Sequence, residues 1–187
     1  MKNNSKCDII AISETSEKID SNFLTNINAS GYDMFSTASH SSRGGVALYI
    51  NSSLKFTERI DLKSSSKHFE SVWTEIKSTN SKNVLCASIY RHPHNDTISL
   101  SSFFEYFEKT LLKIIPENKD VYICGDFNFD LLKINSCSKI KKFYELLHSF
   151  GLLPQITIPT RTTDNTATII DNIFTNNFSH SKISGNI

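Results

Sequence analysis

Residues 121–130 read Val-Tyr-Ile-Cys-Gly-Asp-Phe-Asn-Phe-Asp, a short apolar run that ends in polar side chains. The apolar half is typical of a buried β-strand, and Gly125 permits a tight bend where it ends. Asp126 and Asn128 are two residues apart, so in extended chain their side chains face the same side. Their oxygens are hard ligands that suit Mg²⁺. An Asx turn that merely ends the strand explains the same residues equally well.

The composition is that of a single globular domain covering residues 1–187. Hydrophobic residues make up 39% and charged residues 21% of the chain, which is ordinary for a soluble protein with a real core. The formal net charge is +1, so the chain has no global basic field. If nucleic acid is the partner, its attraction must come from a local patch, a bound metal or another domain.

The cysteines and the chain start both indicate an intracellular protein. The four cysteines form no Cys-x-x-Cys pair, and Cys86 and Cys124 lie inside apolar runs. This pattern predicts buried, reduced thiols and excludes a disulfide framework or a zinc site. The first six residues are polar and lack the apolar core of a secretion signal. No run approaches the ~18 apolar residues of a membrane helix, so we expect no membrane span.

Strand-like and helix-like segments interleave along the rest of the chain, which predicts an α/β or α+β protein. A two-sheet sandwich covered by helices fits this mixture. The predicted helices are 15–31, with Ile19, Phe23, Leu24 and Ile27 on one face, a helix that begins at a capping box in 102–105 and ends at Pro116, and a helix through Ile140, Phe143, Leu147 and Phe150 that ends at Gly151. The predicted strands are 7–13, 32–36, 46–50, 55–60 paired with 46–50, a half-buried 71–77, 84–90, the run from Val121, a short piece at 156–158, and 168–174.

Polar side chains recur where these apolar strands stop or are interrupted. They are Glu14, Tyr90, Asp126 with Asn128, and Asp171. A lone buried carboxylate is costly unless it is paired, hydrogen-bonded or bound to a metal. We therefore favour one polar pocket at the edge of the sheets over a set of independent turn residues.

Five short segments, in register along almost the whole chain, resemble the motifs of the endonuclease/exonuclease/phosphatase superfamily. The branch they resemble most is the endonuclease domain of LINE-type (non-LTR) retrotransposon polyproteins. Gly-Asp-Phe-Asn alone is moderately specific, whereas five motifs in order are strongly specific. The segments are Ile12-Ser13-Glu14-Thr15, Gly44-Gly45-Val46-Ala47, Ser88-Ile89-Tyr90-Arg91-His92-Pro93, Gly125-Asp126-Phe127-Asn128 and Ile170-Asp171-Asn172-Ile173-Phe174.

The resemblance implies a fold and an activity. The fold is a four-layer α/β sandwich, in which two mixed sheets pack face to face and helices flank them. The activity is phosphodiester hydrolysis with Mg²⁺, or with Mn²⁺ in its place. In the LINE branch the enzyme nicks DNA to expose a 3′ hydroxyl for reverse transcription. The implied partners are DNA and the reverse-transcriptase domain of the same polyprotein, and the implied location of the parent element is the nucleus.

The resemblance also implies a role for each residue of the predicted pocket. Glu14 resembles the glutamate that binds the metal, and Tyr90 the tyrosine that contacts the scissile phosphate. Asp126 resembles the aspartate that orients or deprotonates the attacking water. Asn128 resembles the asparagine that binds phosphate or transition-state oxygens. Asp171 resembles the aspartate that supports the catalytic histidine.

Further residues are weaker candidates for substrate contacts. Thr168 occupies the hydroxyl position three residues before Asp171. Arg43, Arg91 and Arg161 lie in loops beside the motifs and are candidates for DNA phosphate contacts, although single arginines are as often solvated surface charges. His92-Pro93-His94 contains two histidines that could bind a metal. We favour ordinary loop residues there because no third soft ligand is apparent.

Two departures from the family pattern predict a fragment cut at both ends. The family has an Asn-containing strand ahead of the Glu14 strand, and it ends in Ser-Asp-His, whose histidine is central to hydrolysis. Here the chain stops at 184–187 without that motif, and His180 lacks the preceding aspartate. Two alternatives therefore stay open. One is another superfamily hydrolase, such as an abasic-site nuclease or a phosphatase, and the other is an inactive remnant that at most binds DNA or a protein.

Overall fold

The computed structural model describes residues 7–16, 29–41 and 43–178. These residues form strands in two main sheets, a separate two-stranded hairpin, and two α-helices. The strands are β1 (Ile9–Ser13), β2 (Tyr32–Thr37), β3 (Val46–Asn51), β4 (Phe56–Glu58), β5 (Ser64–Ser65), β6 (Phe69–Ile76), β7 (Val84–Arg91), β8 (Asp120–Asp126), β9 (Leu153–Pro154), β10 (Arg161–Thr162), β11 (Ala167–Thr168) and β12 (Asp171–Thr175), and the helices are α1 (Thr97–Ile114) and α2 (Ser138–Ser149).

The larger sheet is mixed, as predicted. Its strand order is β4-β6-β7-β8-β12-β9, with β5 paired to β6. β7 and β8 are parallel, and α1 lies between them in the chain as the crossover that a parallel pair requires. The smaller sheet has the order β1-β3-β2, and both of its pairs are antiparallel. β10 and β11 form the separate hairpin.

Two apolar cores hold the layers together. One lies between the sheets and contains Leu48, Ile50 and Val72. The other lies between the larger sheet and the two helices and is rich in phenylalanine, with the rings of Phe129 and Phe143 stacked 4.6 Å apart. The described residues therefore show a small sheet, a large sheet and a helical layer. Most of the helix predicted at 15–31, the fourth layer of the expected sandwich, lies outside them, as does His180.

The phenylalanines of the 121–130 stretch fix the direction of its polar side chains. Phe127 and Phe129 are each 1% exposed and belong to the core beside the helices. Because side chains alternate along the extended chain of β8, the burial of Phe127 on the helix side leaves Asp126 on the other side. Apolar packing thus aims Asp126 away from the helices.

The prediction for the start of α1 was wrong. Asp96, and not the expected capping box at 102–105, caps this helix, because its side chain accepts a hydrogen bond from Ser99 N at 3.0 Å. The helix is more than one turn longer than predicted at this end and stops at Ile114, just before Pro116. α2 ends at Ser149, which agrees with the predicted stop at Gly151.

Several strand predictions also need correction. β4 pairs with β6 in the larger sheet and not with the strand at 46–50. β6 is almost fully buried rather than half-buried, because Trp73 packs on the helix side and Val72 between the sheets. The last long strand begins at Asp171, since 167–168 pair with the β10 strand instead. Residues 156–158 form no strand.

Candidate active site

Three neighbouring strands of the larger sheet bring Tyr90, Asp126 and Asp171 into one row. Tyr90 on β7 is directly opposite Asp126 on β8, and Asp126 is directly opposite Asp171 on β12. Residues opposite one another on adjacent strands lie within contact distance, so the three side chains converge at one end of the sheet. The structure therefore brings these three predicted residues together at this edge of the sheet.

Gly125 allows the β8 strand to approach β7 closely enough for this row. Its φ is +154°, and a Cβ atom built there would lie 1.8 Å from the main-chain oxygen of Ile89. No side chain fits in that space, so the glycine before Asp126 is a steric requirement of the site.

Glu14 reaches the row from the smaller sheet. It follows the last residue of β1, and its Oε1 accepts a hydrogen bond of 2.9 Å from the Tyr90 hydroxyl. The two sheets are tied together just beside it, where Ser88 Oγ donates to Ile12 O at 3.0 Å. Burial and the hydrogen bond to Glu14 raise the pKa of Tyr90, so its phenol stays a protonated donor.

Asp126 is the most deeply buried carboxylate of this group, with 1% of its surface exposed. Its Oδ1 accepts from Asn128 N at 2.9 Å, and its Oδ2 accepts from Arg161 Nη2 at 2.7 Å. Burial raises its pKa to about 6, and the carboxylates of Asp171 and Glu14 also raise it, whereas the Asn128 N–H and Arg161 lower it. The Asx turn considered from the sequence is therefore present, and the same side chain also belongs to the convergent pocket.

Arg161, from the β10–β11 hairpin, lies between two carboxylates. Its Nε is 3.7 Å from Asp171 Oδ2, in addition to its contact with Asp126. The arginine side chain is 53% exposed, so solvent screens it. Among the candidate arginines, it is the one that the structure brings into the row.

Asn128 and Arg91 hold each other through main-chain contacts. Asn128 has a left-handed φ of 49°, and its Nδ2 donates to Arg91 O at 2.7 Å. An amide nitrogen has two N–H donors, so one more can serve a phosphate oxygen. Arg91 is 1% exposed, and its guanidinium donates to the carbonyls of Phe127, Asn128 and His94. In the structure this buried side chain supports the loop, and a DNA contact by Arg91 stays a prediction.

The other predicted residues lie near the row but not in it. Arg43 is exposed in the loop at 39–45, and Thr168 is half-buried on the β10–β11 hairpin, opposite Arg161. His92 is buried, and its Nε2 lies 3.0 Å from Glu70 Oε1, which is a structural contact and not half of a metal pair. Glu70 itself was missed, because a single glutamate at the start of a strand carries no pattern that marks it.

The site has the donor types that a hard cation requires. Glu14 is exposed and Asp171 is half-buried, and the charges of both raise the pKa of Asp126, which Arg161 lowers. Oxygen ligands with excess negative charge suit Mg²⁺ or Mn²⁺. Within the described ranges, no group of three His, Cys, Asp or Glu side chains is already arranged as a ligand set. The residues thus fit a cation by type and charge, with Glu14 and the row aspartates as the ones that would hold it.

A cavity of about 470 Å³ opens beside the row, between the two sheets. It is lined mainly by apolar side chains, among them Leu48 and Ile173, and reaches Asp171 and Gly125. Asp171 therefore lies at an accessible edge and not inside a closed core.

Neither helix in the described part of the chain has the length and apolar character that a membrane span needs.

No match was found among curated proteins. Solved structures do match. The endonuclease domain of TRAS1, a telomere-specific non-LTR retrotransposon, is 16% identical with a TM-score of 0.60, covering 78% of this chain and 65% of that one.

Two other similar structures are AP-endonuclease-related proteins. The Xenopus laevis APE2 catalytic domain is 17% identical with a TM-score of 0.59, covering 91% of this chain and 74% of that one. An AP endonuclease from Archaeoglobus fulgidus is 15% identical with a TM-score of 0.59, covering 90% and 76%. At such identities the three structures establish a shared fold. The chain spans 65% of the TRAS1 domain.

A comparison with protein-family models identifies the family. The family model described as Endonuclease/Exonuclease/phosphatase family matches residues 2–185, which is nearly the whole chain. Together with the row of Tyr90, Asp126 and Asp171 and the contact from Glu14, this match shows that the chain belongs to the endonuclease/exonuclease/phosphatase family.

Proposed function

We propose that this chain is the endonuclease domain of a LINE-type retrotransposon, which nicks DNA by Mg²⁺-dependent phosphodiester hydrolysis. The observation that carries the proposal is the convergence of Glu14 from one sheet with Tyr90, Asp126 and Asp171 from the other. Family membership supports hydrolysis of a phosphate ester, and the similarity to the TRAS1 endonuclease domain supports the LINE branch. In the parent element the domain acts in the nucleus beside the reverse-transcriptase domain of the same polyprotein.

The chemistry divides between proton transfer and charge stabilisation. Asp126 accepts a proton from the attacking water, and a pKa of about 6 leaves it ionised at neutral pH yet basic enough to act. The water oxygen bonds to phosphorus as the bond between phosphorus and the 3′ oxygen breaks. The 3′ oxygen takes up a proton, which leaves a 3′ hydroxyl and a 5′ phosphate. Glu14 would hold the cation, which would supply charge neutralisation at the leaving oxygen.

Neighbouring donors stabilise the phosphate as its charge increases. The second N–H of Asn128 can donate to a non-bridging oxygen, and the single O–H of Tyr90 can do so once it turns away from Glu14. Asp171 corresponds to the family aspartate that supports a catalytic histidine. Arg161 balances the charges of Asp171 and Asp126 until substrate or cation arrives. Thr168 and Arg43 lie on the segments that would contact the DNA strand.

The test is nicking of supercoiled plasmid in Mg²⁺. Three proteins are compared: this chain, a version extended at both ends by its flanking coding sequence, and the Glu14→Ala variant of the extended version. We expect nicking by the extended protein and loss of nicking in its Glu14→Ala variant. Absence of nicking by every folded form would refute the proposal.

An abasic-site nuclease is the second candidate. The APE2 catalytic domain and the AP endonuclease each match with a TM-score of 0.59, nearly the same as the 0.60 of the TRAS1 domain. A duplex with one abasic site distinguishes the two activities. Cleavage confined to that site would favour repair chemistry, whereas nicking of intact DNA supports the LINE endonuclease.

A further inference from the structure

Glu70, at the start of β6, is a buried carboxylate that the proposed chemistry does not use. It is 0% exposed. A carboxylate in such a place persists only with hydrogen-bond partners. Ser39 Oγ donates to its Oε1 at 2.8 Å, His92 Nε2 lies 3.0 Å from the same oxygen, and Gly45 N lies 3.5 Å from Oε2. Both oxygens of Glu70 therefore face the loop at 39–45.

This loop passes directly over the Glu70–His92 pair. A Cβ atom at Gly44 would lie 3.0 Å from Glu70 Oε2, 3.0 Å from His92 Cε1 and 2.7 Å from Ser39 Oγ. The φ of Gly44 is +112°, which side chains rarely adopt. The loop is thus shaped by close contact with the pair.

Gly44 and Gly45 also hold the backbone that follows Glu14. Gly45 O accepts from Thr15 N at 3.2 Å, and Gly44 O accepts from Ser16 N at 2.8 Å. Glu14 itself has a φ of 56°, and such left-handed conformations of non-glycine residues persist only where surrounding contacts impose them. Those contacts come from a loop that Glu70 anchors.

A second route runs from the pair to the Glu14 side chain. The ring of His92 packs edge-on against the ring of Tyr90, with centroids 4.9 Å apart. The Tyr90 hydroxyl then donates to Glu14 Oε1. The backbone that follows Glu14 is therefore connected to Glu70 through Gly44 and Gly45, and the Glu14 carboxylate is connected to Glu70 through His92 and Tyr90.

We propose that Glu70 and His92 form a positioning pair that holds Glu14 in its strained, cation-facing conformation. The part of this inference that concerns the cation rests on the proposed function. The backbone part does not, because the hydrogen bonds of Thr15 and Ser16 exist without a cation. Outer-shell partners of ligating carboxylates typically change metal affinity by about 10- to 100-fold when mutated.

The test compares Glu70→Gln with Glu75→Gln. Glu75 lies on the same strand, and its carboxylate pairs with Arg59 and Lys119 away from the row. Two readouts are measured for each folded protein: amide hydrogen exchange at Thr15 and Ser16, and Mn²⁺ affinity. We expect Glu70→Gln to speed exchange at both amides by about tenfold and to weaken Mn²⁺ binding by about tenfold. Glu75→Gln is expected to leave both readouts unchanged.

Unchanged exchange at Thr15 and Ser16 in Glu70→Gln would overturn the inference. If Glu70→Gln speeds exchange but the wild-type protein binds no Mn²⁺, the positioning pair is supported and the cation site is refuted. Failure of this inference and failure of the proposed function are therefore distinguishable. If Glu70→Gln does not fold, Ser39→Ala removes one hydrogen bond to Glu70 Oε1 and gives the same comparison. Equal exchange in Ser39→Ala and wild type would then overturn it.

Discussion

Replacement of Asp126 by Asn should stabilise the folded chain at neutral pH while it abolishes nicking. Burial raises the pKa of this carboxyl from 3.8 to about 6. Since the folded pKa is above the unfolded one, the native state binds the extra proton between about pH 4 and pH 6, and stability falls as pH rises through that window. The difference of roughly two pKa units corresponds to about 3 kcal/mol in the free energy of unfolding. Asn does not ionise and avoids this penalty.

Urea denaturation followed by Trp73 fluorescence measures the effect, because Trp73 is the single tryptophan and is fully buried. In EDTA at pH 8 we expect Asp126→Asn to be more stable than wild type by about 1–3 kcal/mol, and to match it near pH 3.5. Asp130→Asn is the control. Its Oδ1 accepts from Leu132 N and Ile169 N, so loss of its charge should not stabilise the fold. A gain in Asp126→Asn that is absent at pH 8, or equal at every pH, would refute the reasoning.

Three further predictions concern the same row. Gly125→Ala should lower the free energy of unfolding by about 3 kcal/mol or more, because the new Cβ would overlap main-chain atoms. Gly151→Ala is the control: Gly151 has open space around it and a φ of +73°, so the loss should be only about 1 kcal/mol. Thermal denaturation measures both. Tyr90→Phe should slow Mg²⁺-dependent nicking about a hundredfold, while it changes the unfolding free energy by at most about 1 kcal/mol; an equal nicking rate would count against its role as a phosphate donor. Arg161→Ala removes a charge that lowers the pKa of Asp126, so the pH at which the nicking rate rises should move above its wild-type value of about 6; a move to lower pH would contradict this sign.

Much of the site was predictable from the sequence because its residues terminate apolar strands. Asp126 follows a buried run, and its neighbours in register, Tyr90 and Asp171, end or interrupt two others. Period-2 alternation separates these polar side chains from the phenylalanines that face the core. The strands that carry these residues are neighbours in the sheet but far apart in sequence. The alignment of the three side chains in one row could therefore be seen only in the structure.

What the sequence could not show depended on tertiary context. From the sequence, Arg91 cannot be told apart from an exposed arginine that contacts phosphate. In the structure its guanidinium donates hydrogen bonds to three main-chain carbonyls. Glu70 gives no periodic pattern, because its partners come from residues 22 and 31 positions away. The half-buried pattern expected for β6 was overridden because both of its faces are covered, by helices on one side and the smaller sheet on the other.

Mn²⁺ binding to single-site variants tests the central claim, that separate segments deliver their carboxylates to one cation-holding cleft. Electron paramagnetic resonance counts free Mn²⁺ in titrations of wild type, Glu14→Gln and Asp126→Asn, with Asp61→Asn as a control from a surface ion-pair cluster. We predict that Glu14→Gln and Asp126→Asn each weaken the same site by about tenfold or more, and that Asp61→Asn leaves it intact. Unchanged Mn²⁺ binding in Glu14→Gln or in Asp126→Asn would contradict the claim.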